Sequence, residues 1–127
     1  MNYWLLVAGI IAGLSCLIHG IAGELTNIRR LREGSIPPNE QAELRGVWHV
    51  TTALLAVSAG GLFILATGGV PEYQEALAAG IAVLYILSGM VMALSVVLTR
   101  AASLTRVPGY VLLLVIGALS GLGALTV

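Results

Sequence analysis

The stretch YWLLVAGIIAGLSCLIHGIAG, residues 3–23, decides the fold, because it contains no Asp, Glu, Lys or Arg. Three further stretches share this property and cover residues 46–69, 76–99 and 107–127. Each is close to the roughly 20 residues that a helix needs to cross the apolar core of a bilayer. Lipid cannot pair with backbone polar groups, and the stretches are too long and too uniformly apolar for barrel strands. The sequence therefore predicts four membrane-spanning helices.

The composition of the whole chain supports this assignment. Of its 127 residues, 58% are hydrophobic and only 9% are charged, and the formal net charge is zero. A soluble domain needs roughly 25% charged residues to cover its surface. The outer surface is therefore expected to face a lipid bilayer, and the balanced charge gives no indication of nucleic-acid binding. At this length we expect a single domain, residues 1–127.

The distribution of arginine predicts the orientation in the membrane. All six arginines fall either between the first and second stretches or between the third and fourth, at positions 29, 30, 32, 45, 100 and 106. By the positive-inside rule, the large loop 24–45 is expected in the cytoplasm and both termini outside. We therefore expect an all-α integral membrane protein, an antiparallel four-helix bundle.

Helix signals occupy both ends of the loop 24–45. The segment ELTNIRRLREG is expected to continue the first helix past the membrane until Gly34 ends it. After two prolines, Asn39 is expected to cap the second helix, and Glu40 lies favourably in its first turn.

Small residues spaced four apart predict where helices touch. In lipid such pairs let two backbones approach closely, where apolar burial gives no driving force. They are candidate surfaces for packing within the chain, for a homo-oligomer or for a larger membrane complex. The pairs are Gly9 with Gly13, Ala56 with Gly60, Gly89 with Ala93, and Gly117 with Gly121.

Each of the first two stretches contains one histidine, His19 in CLIHGIAGEL and His49 in RGVWHVTT. At 100° per residue, both histidines lie on helix faces of small and polar residues, which point towards other helices in a membrane. We therefore expect the two imidazoles to face each other, roughly 6–8 Å inside the ends of their spans. The predicted buried faces also contain Ala8, Ala12 and Cys16 on the first helix and Ala56 and Gly60 on the second.

Ionisable residues inside a span are costly, and they mark candidate functional sites. The candidate metal or ligand site consists of His19, His49, Glu24 and Cys16, because imidazole, carboxylate and thiolate bind zinc, copper or iron. Two histidines at equal depth also suit haem iron. Haem needs its helices held apart, whereas the small faces bring them together, which favours a metal ion. The surrounding residues are expected to be Glu43, Arg45, Thr52 and Trp48.

Other interpretations of these residues stay open. A structural polar cluster would only join the two helices, as in an accessory or assembly subunit of a membrane complex. A proton- or ligand-coupled transporter would use the pKa of histidine near neutrality. An enzyme would use the His/Glu pair as acid and base, but no nucleophile motif, phosphate loop or HExxH is present. The sequence favours a non-enzymatic membrane protein with a buried His/Glu site near the cytoplasmic face, tested first as a metal site.

The segments HGIAGEL and VWHVTT give the pattern H-x4-E followed, after an arginine-bearing loop, by W-H-x-T-[ST]. This pattern resembles a group of small, uncharacterised bacterial four-span membrane proteins. The resemblance covers residues 16–52 and implies no activity. Small multidrug transporters match in size but carry a glutamate in the middle of the first span, where this chain has none before Glu24. Small dimeric fluoride channels also match in size, but the motif residues of those channels are absent from this chain. The residues that the resemblance implies are shared are His19, Glu24, Trp48, His49 and Thr52.

Overall fold

Helices account for most of the chain. The computed structural model describes residues 1–99 and 109–126, and it shows no strand within them. The prediction of an all-helical protein is confirmed. The helices are α1 (Tyr3–Glu33), α2 (Pro38–Ala66), α3 (Gln74–Thr99, preceded by the 3-10 turn Pro71–Tyr73) and α4 (Gly109–Leu125).

Three of these helices are long and apolar enough to cross a membrane: α1, α2 and α3 with its preceding turn. Helix α4 is also apolar, with 17 described residues. Large hydrophobic side chains are exposed on the spans, among them Val57 and Leu98, and such surfaces in contact with water are rare in soluble proteins. Residues 100–108 and 127, and with them Arg100 and Arg106, lie outside the described residues.

The two helices beside the arginine-bearing loop end and begin close to their expected positions. The last turn of α1, Arg29–Glu33, stops before Gly34, as the sequence predicts. Helix α2 begins at Pro38 with Pro37 in the cap position, so the prediction that Asn39 caps it is wrong. Proline suits the first turn because the N–H that it lacks has no partner within the helix.

Glycine determines how α2 ends. Gly68 has a φ of 77°, in the left-handed region that glycine enters without steric cost. The N–H of Gly68 donates to the carbonyl of Leu65 at 3.1 Å, and that of Gly69 to the carbonyl of Ile64 at 3.0 Å. These two bonds form a Schellman cap. The side chain of Gln74 also donates to the Leu65 carbonyl, at 2.9 Å, which ties the start of α3 to the end of α2.

Helices α1 and α2 pack along a continuous seam, in which the start of α1 lies against the end of α2. On α1 the contacting residues recur every seventh position: Asn2, Gly9, Cys16 and Gly23. On α2 the contacting residues are separated alternately by three and by four positions. The buried Leu55 occupies the remaining position in this series. This spacing averages about 3.5 residues per turn, as in left-handed coiled coils. The α2 residues that follow this spacing in contact with α1 are Arg45, Trp48, Thr52, Ala59, Leu62 and Ala66.

The seam corrects the predicted inward face of α2. Ala56 and Gly60 are exposed, and nothing lies within 4 Å of a side chain built at Gly60. The predicted face passes through His49, which is itself half exposed because the neighbouring Trp48 occupies the inward position. Ala56 and Gly60 lie seven and eleven residues after His49, so they share its outward face. The predicted face of α1 is confirmed, since Ala8 and Ala12 are both fully buried.

Helix α4 packs against α3 and against the start of α1. A methyl group at Gly117 would lie 2.7 Å from Cγ1 of Ile86, and one at Gly123 would lie 2.5 Å from Cγ of Leu5. Between α3 and α2, few contacts are present. Two small pairs of the sequence analysis, Gly9 with Gly13 and Gly117 with Gly121, therefore lie in interfaces within the chain.

Candidate functional site

Helix α1 changes its winding where the candidate site residues lie. It is α-helical over Tyr3–Leu17 and π-helical over Ile18–Ala22 and Glu24–Ile28. These wide turns contain both His19 and Glu24. Single π-helical turns occur often at functional sites, so the backbone itself distinguishes this part of α1.

Two side chains bond to backbone carbonyls of the wide turns. Nε1 of Trp48 donates to the His19 carbonyl at 3.2 Å, and Oγ1 of Thr26 donates to the Ala22 carbonyl at 2.7 Å. Side chains that enter the helical hydrogen-bond ladder are a known cause of local distortion. Both bonds therefore favour the wide winding.

The indole of Trp48 lies between His19 and Gly23. The two aromatic rings are stacked, with their centroids 3.9 Å apart and their planes 9° from parallel. Gly23 lies on α1, one turn after His19. A methyl group added at Gly23 would lie 2.7 Å from Cε2 of the indole, well inside van der Waals contact. Only glycine fits at this position, and Trp48 holds α1 and α2 together here.

A charged cluster lies next to this aromatic pair. Nη2 of Arg45 is 2.8 Å from Oε1 of Glu24, and Nε2 of His49 is 3.6 Å from Oε2 of the same carboxylate. The second distance is too long for a hydrogen bond, so Arg45 is the main partner of Glu24. The side chains of Arg45, Glu24 and His49 are 49%, 30% and 50% exposed. At such exposure an ion pair stabilises a protein by at most about 1 kcal/mol.

The other candidate residues take separate positions. Sγ of Cys16 donates to the carbonyl of Thr52 at 3.5 Å, and Oγ1 of Thr52 donates to the carbonyl of Trp48 at 3.1 Å. Both residues belong to the seam rather than to the charged cluster. Glu43 is exposed, and within the described residues it takes no part in the contacts of Glu24 with Arg45 and His49.

The geometry offers a metal ion few ligands. Within residues 1–99 and 109–126, no three His, Cys, Asp or Glu side chains converge to hold one. The prediction that both imidazoles are enclosed between the helices is wrong for His49, whose side chain is half exposed. It points past the seam because Trp48, its neighbour, occupies the inward position. Binding of a metal ion or haem stays a prediction, with Glu24 and His49 as its closest pair.

A cavity of about 420 Å³ opens beside His19, between α1, α2 and the adjoining parts of α3 and α4. Nε2 of His19 is buried, and it has no hydrogen-bond partner among the described residues. We call this space the His19 cavity. The walls include Ser15, Ile18, Trp48 and Leu55 from the first two helices, with Met92 and Leu112 from the last two.

Sequence reasoning missed the cavity residues of the last two helices. Gly23, by contrast, lies on the small face of α1 that the sequence predicts to point inward with His19. Met92 and Leu112 carry no such signal, because they lie in stretches where nearly every residue is apolar.

Comparison of the chain with protein-family models, with curated proteins and with solved structures finds no match.

Proposed function

We propose that this chain is a multi-pass protein of the bacterial inner membrane that binds a small, mostly apolar molecule in the His19 cavity and catalyses no reaction. One observation carries the proposal: the buried Nε2 of His19 lacks a hydrogen-bond partner among the described residues. A buried polar atom left unpaired costs about 1–3 kcal/mol. Nε2 has almost no accessible surface, so a ligand reaches it only when the ring of His19 turns towards the cavity. A polar group bonded to Nε2 then removes this cost.

The chemistry of the cavity supports a ligand of this class. Binding sites for small molecules are typically about 300–1,000 Å³ in volume and mostly apolar, with a few polar groups that orient the ligand. The His19 cavity, at about 420 Å³, falls in this range, and Ile18, Leu55 and Leu112 supply apolar wall. Besides His19, the hydroxyl-bearing Ser15 lines it. A carbonyl, hydroxyl or carboxyl group on an otherwise apolar molecule fits this lining.

The bundle proposed for the membrane is antiparallel, with the His19 cavity near the cytoplasmic face. Arg45 and Glu24 lie at the same end of the α1–α2 seam as His19, whereas Asn2 and Ala66 meet at the opposite end. Arginine-rich connections stay in the cytoplasm, which supports this orientation.

Reporter fusions test the orientation. A fusion within the arginine-bearing loop at Ser35 should report the cytoplasm, and a fusion after Val127 should report the outside, because all six arginines fall on one side. A cytoplasmic reporter at Val127 would contradict both the antiparallel four-span arrangement and the proposed depth of the cavity.

Fluorescence of Trp48 tests the proposed binding. The chain has two tryptophans, so in a Trp4→Phe background Trp48 reports alone from the cavity wall. A short-chain benzoquinone, which is apolar and has carbonyl acceptors, should quench it in a saturable manner in detergent. His19→Phe keeps a ring on Trp48 but removes Nε2. It should weaken the affinity about five- to tenfold, as expected for one lost hydrogen bond.

Two matched variants control this experiment. Ala22 lines the cavity, so Ala22→Leu should fill part of it and abolish saturable quenching. Ile21 is 62% exposed and outside the cavity lining, so Ile21→Val should bind as the parent does. Quenching that is linear and equal in all variants would reflect partition into the detergent and contradict the proposal. The purified protein should also be examined by elemental analysis and by its absorption spectrum. Stoichiometric metal would favour the metal hypothesis, and a Soret band would favour the haem hypothesis.

A further inference from the structure

A second cavity, of about 410 Å³, lies between the last turns of α1 and the first turns of α2. It is separate from the His19 cavity, with which it shares no lining residue. We call it the arginine groove. Its main walls are Ile28, Leu31 and Arg32 from α1 and Gln41, Arg45 and His49 from α2.

Basic groups line the arginine groove, while most nearby carboxylates do not. Glu40 and Glu43 belong to the same turns of α2 but are absent from the lining. On α1, Glu33 also lies outside the groove, where it accepts a hydrogen bond of 2.8 Å from Nε of Arg29. The net charge of the whole loop is therefore a poor guide to the charge inside the groove.

The charge that remains in the groove is positive. Glu24 pairs with Arg45 at 2.8 Å and lies 3.6 Å from His49. The lining carries two guanidinium groups, those of Arg32 and Arg45, and Glu24 pairs with only one of them. Arg32 forms no ion pair with any described residue, so its charge is not matched within the described part of the chain.

We infer that the arginine groove binds the phosphate group of an anionic ligand, with Arg32 as the principal contact and Arg45 beside it. A guanidinium group presents planar, paired N–H donors that match two phosphate oxygens. The proposal is independent of the His19 cavity and its ligand.

The surroundings of Arg32 favour a phospholipid as the source of that phosphate. Ile28 and Leu31 lie in the same groove, so an apolar wall adjoins the guanidinium group. Basic pockets between membrane helices on the cytoplasmic side bind anionic lipid headgroups. Free phosphate shares the recognising chemistry but makes no use of the apolar wall.

Native mass spectrometry of the full chain in detergent tests this site. Phosphatidylglycerol, phosphatidylcholine and inorganic phosphate are added separately to wild type, Arg32→Gln and Arg30→Gln. Arg30 is exposed on the same helix and lies outside the groove lining, which makes Arg30→Gln the matched control. Wild type and Arg30→Gln should retain phosphatidylglycerol in preference to phosphatidylcholine. Arg32→Gln should bind it about tenfold more weakly, as expected for one lost charge-assisted hydrogen bond.

The three additions separate the sources of phosphate. Preference for phosphatidylglycerol that Arg32→Gln loses supports a lipid headgroup. Binding of inorganic phosphate without any lipid preference, again lost in Arg32→Gln, supports the site with free phosphate as the ligand. Equal binding by Arg32→Gln and Arg30→Gln, in samples of equal helicity by circular dichroism, would overturn the inference, and so would wild type that binds neither phosphate nor phosphatidylglycerol preferentially.

Discussion

Replacing Gly23 by alanine should lower the free energy of unfolding by about 2–3 kcal/mol, the upper range for an overpacked interior. The added methyl group would lie 2.7 Å from Cε2 of Trp48. Trp48 cannot move aside easily, because its ring is stacked on His19 and its N–H bonds to the His19 carbonyl. Unfolding in mixed micelles, followed by circular dichroism, measures the loss.

Gly60→Ala is the matched control for this substitution. Nothing lies within 4 Å of the side-chain position of Gly60, and alanine exceeds glycine in helix propensity by about 0.8–1 kcal/mol. This variant should therefore be at least as stable as the wild type. In a Trp4→Phe background, the fluorescence of Trp48 should shift in Gly23→Ala and stay unchanged in Gly60→Ala. Equal stability of the two variants would show that Trp48 does not pack against Gly23 in this manner.

Asn2→Ala should have the next largest effect, a loss of about 2 kcal/mol. Oδ1 of Asn2 accepts from the N–H groups of Trp4 and Leu5, at 3.1 and 3.2 Å, and so caps α1. Nδ2 donates to the carbonyl of Gly123 at 2.9 Å and so joins α1 to α4. A lost N-cap costs about 0.5–2 kcal/mol, and an interhelical bond in a membrane protein adds about 0.6 kcal/mol. The same unfolding measurement gives the value.

Asn2→Ser separates the two contributions. Serine keeps an acceptor for the N-cap but is too short to reach Gly123 as the Asn2 amide does, so it should restore most of the stability. Both variants keep the backbone bond from residue 2 to the Ala66 carbonyl, which is 2.8 Å long in the wild type. If serine and alanine proved equally destabilising, capping by Asn2 would not be the main contribution.

The helices could be predicted from the sequence because each helix depends on the apolar composition of its own segment. An uncharged stretch of about 20 residues needs a helix in lipid whatever surrounds it. The end of α1 before Gly34 and the burial of Ala8 and Ala12 followed from equally local patterns. The buried face of α2 did not follow, because the prediction assumed that the polar His49 points inward. The structure places the neighbouring Trp48 there instead, and the face that contains His49, Ala56 and Gly60 is exposed.

The candidate site was predictable in its members more than in its geometry. Polar residues in an apolar chain are conspicuous, so His19, Glu24, Trp48 and Arg45 were identified, and the structure brings them together. Their pairing was not predictable. The stack of Trp48 on His19 depends on the absence of a side chain at Gly23, a contact between residues on different helices. The sequence places Gly23 on the inward face of α1, but no local pattern shows that Trp48 is its partner.

Helix α1 contacts α4 closely at one end only, and the two helices are separated at the other end. The two helices are fastened at one end, where Leu5 packs on Gly123 and Asn2 bonds to it, and at the other end the His19 cavity separates Ala22 from Leu112. At 1.5 Å per residue, the lever from Leu5 to Ala22 is about 25 Å long. A tilt of α1 by about 4° about the contacts of Leu5 would move Ala22 by about 2 Å. Such a tilt would widen the His19 cavity for a ligand while the core around Leu5 stayed packed.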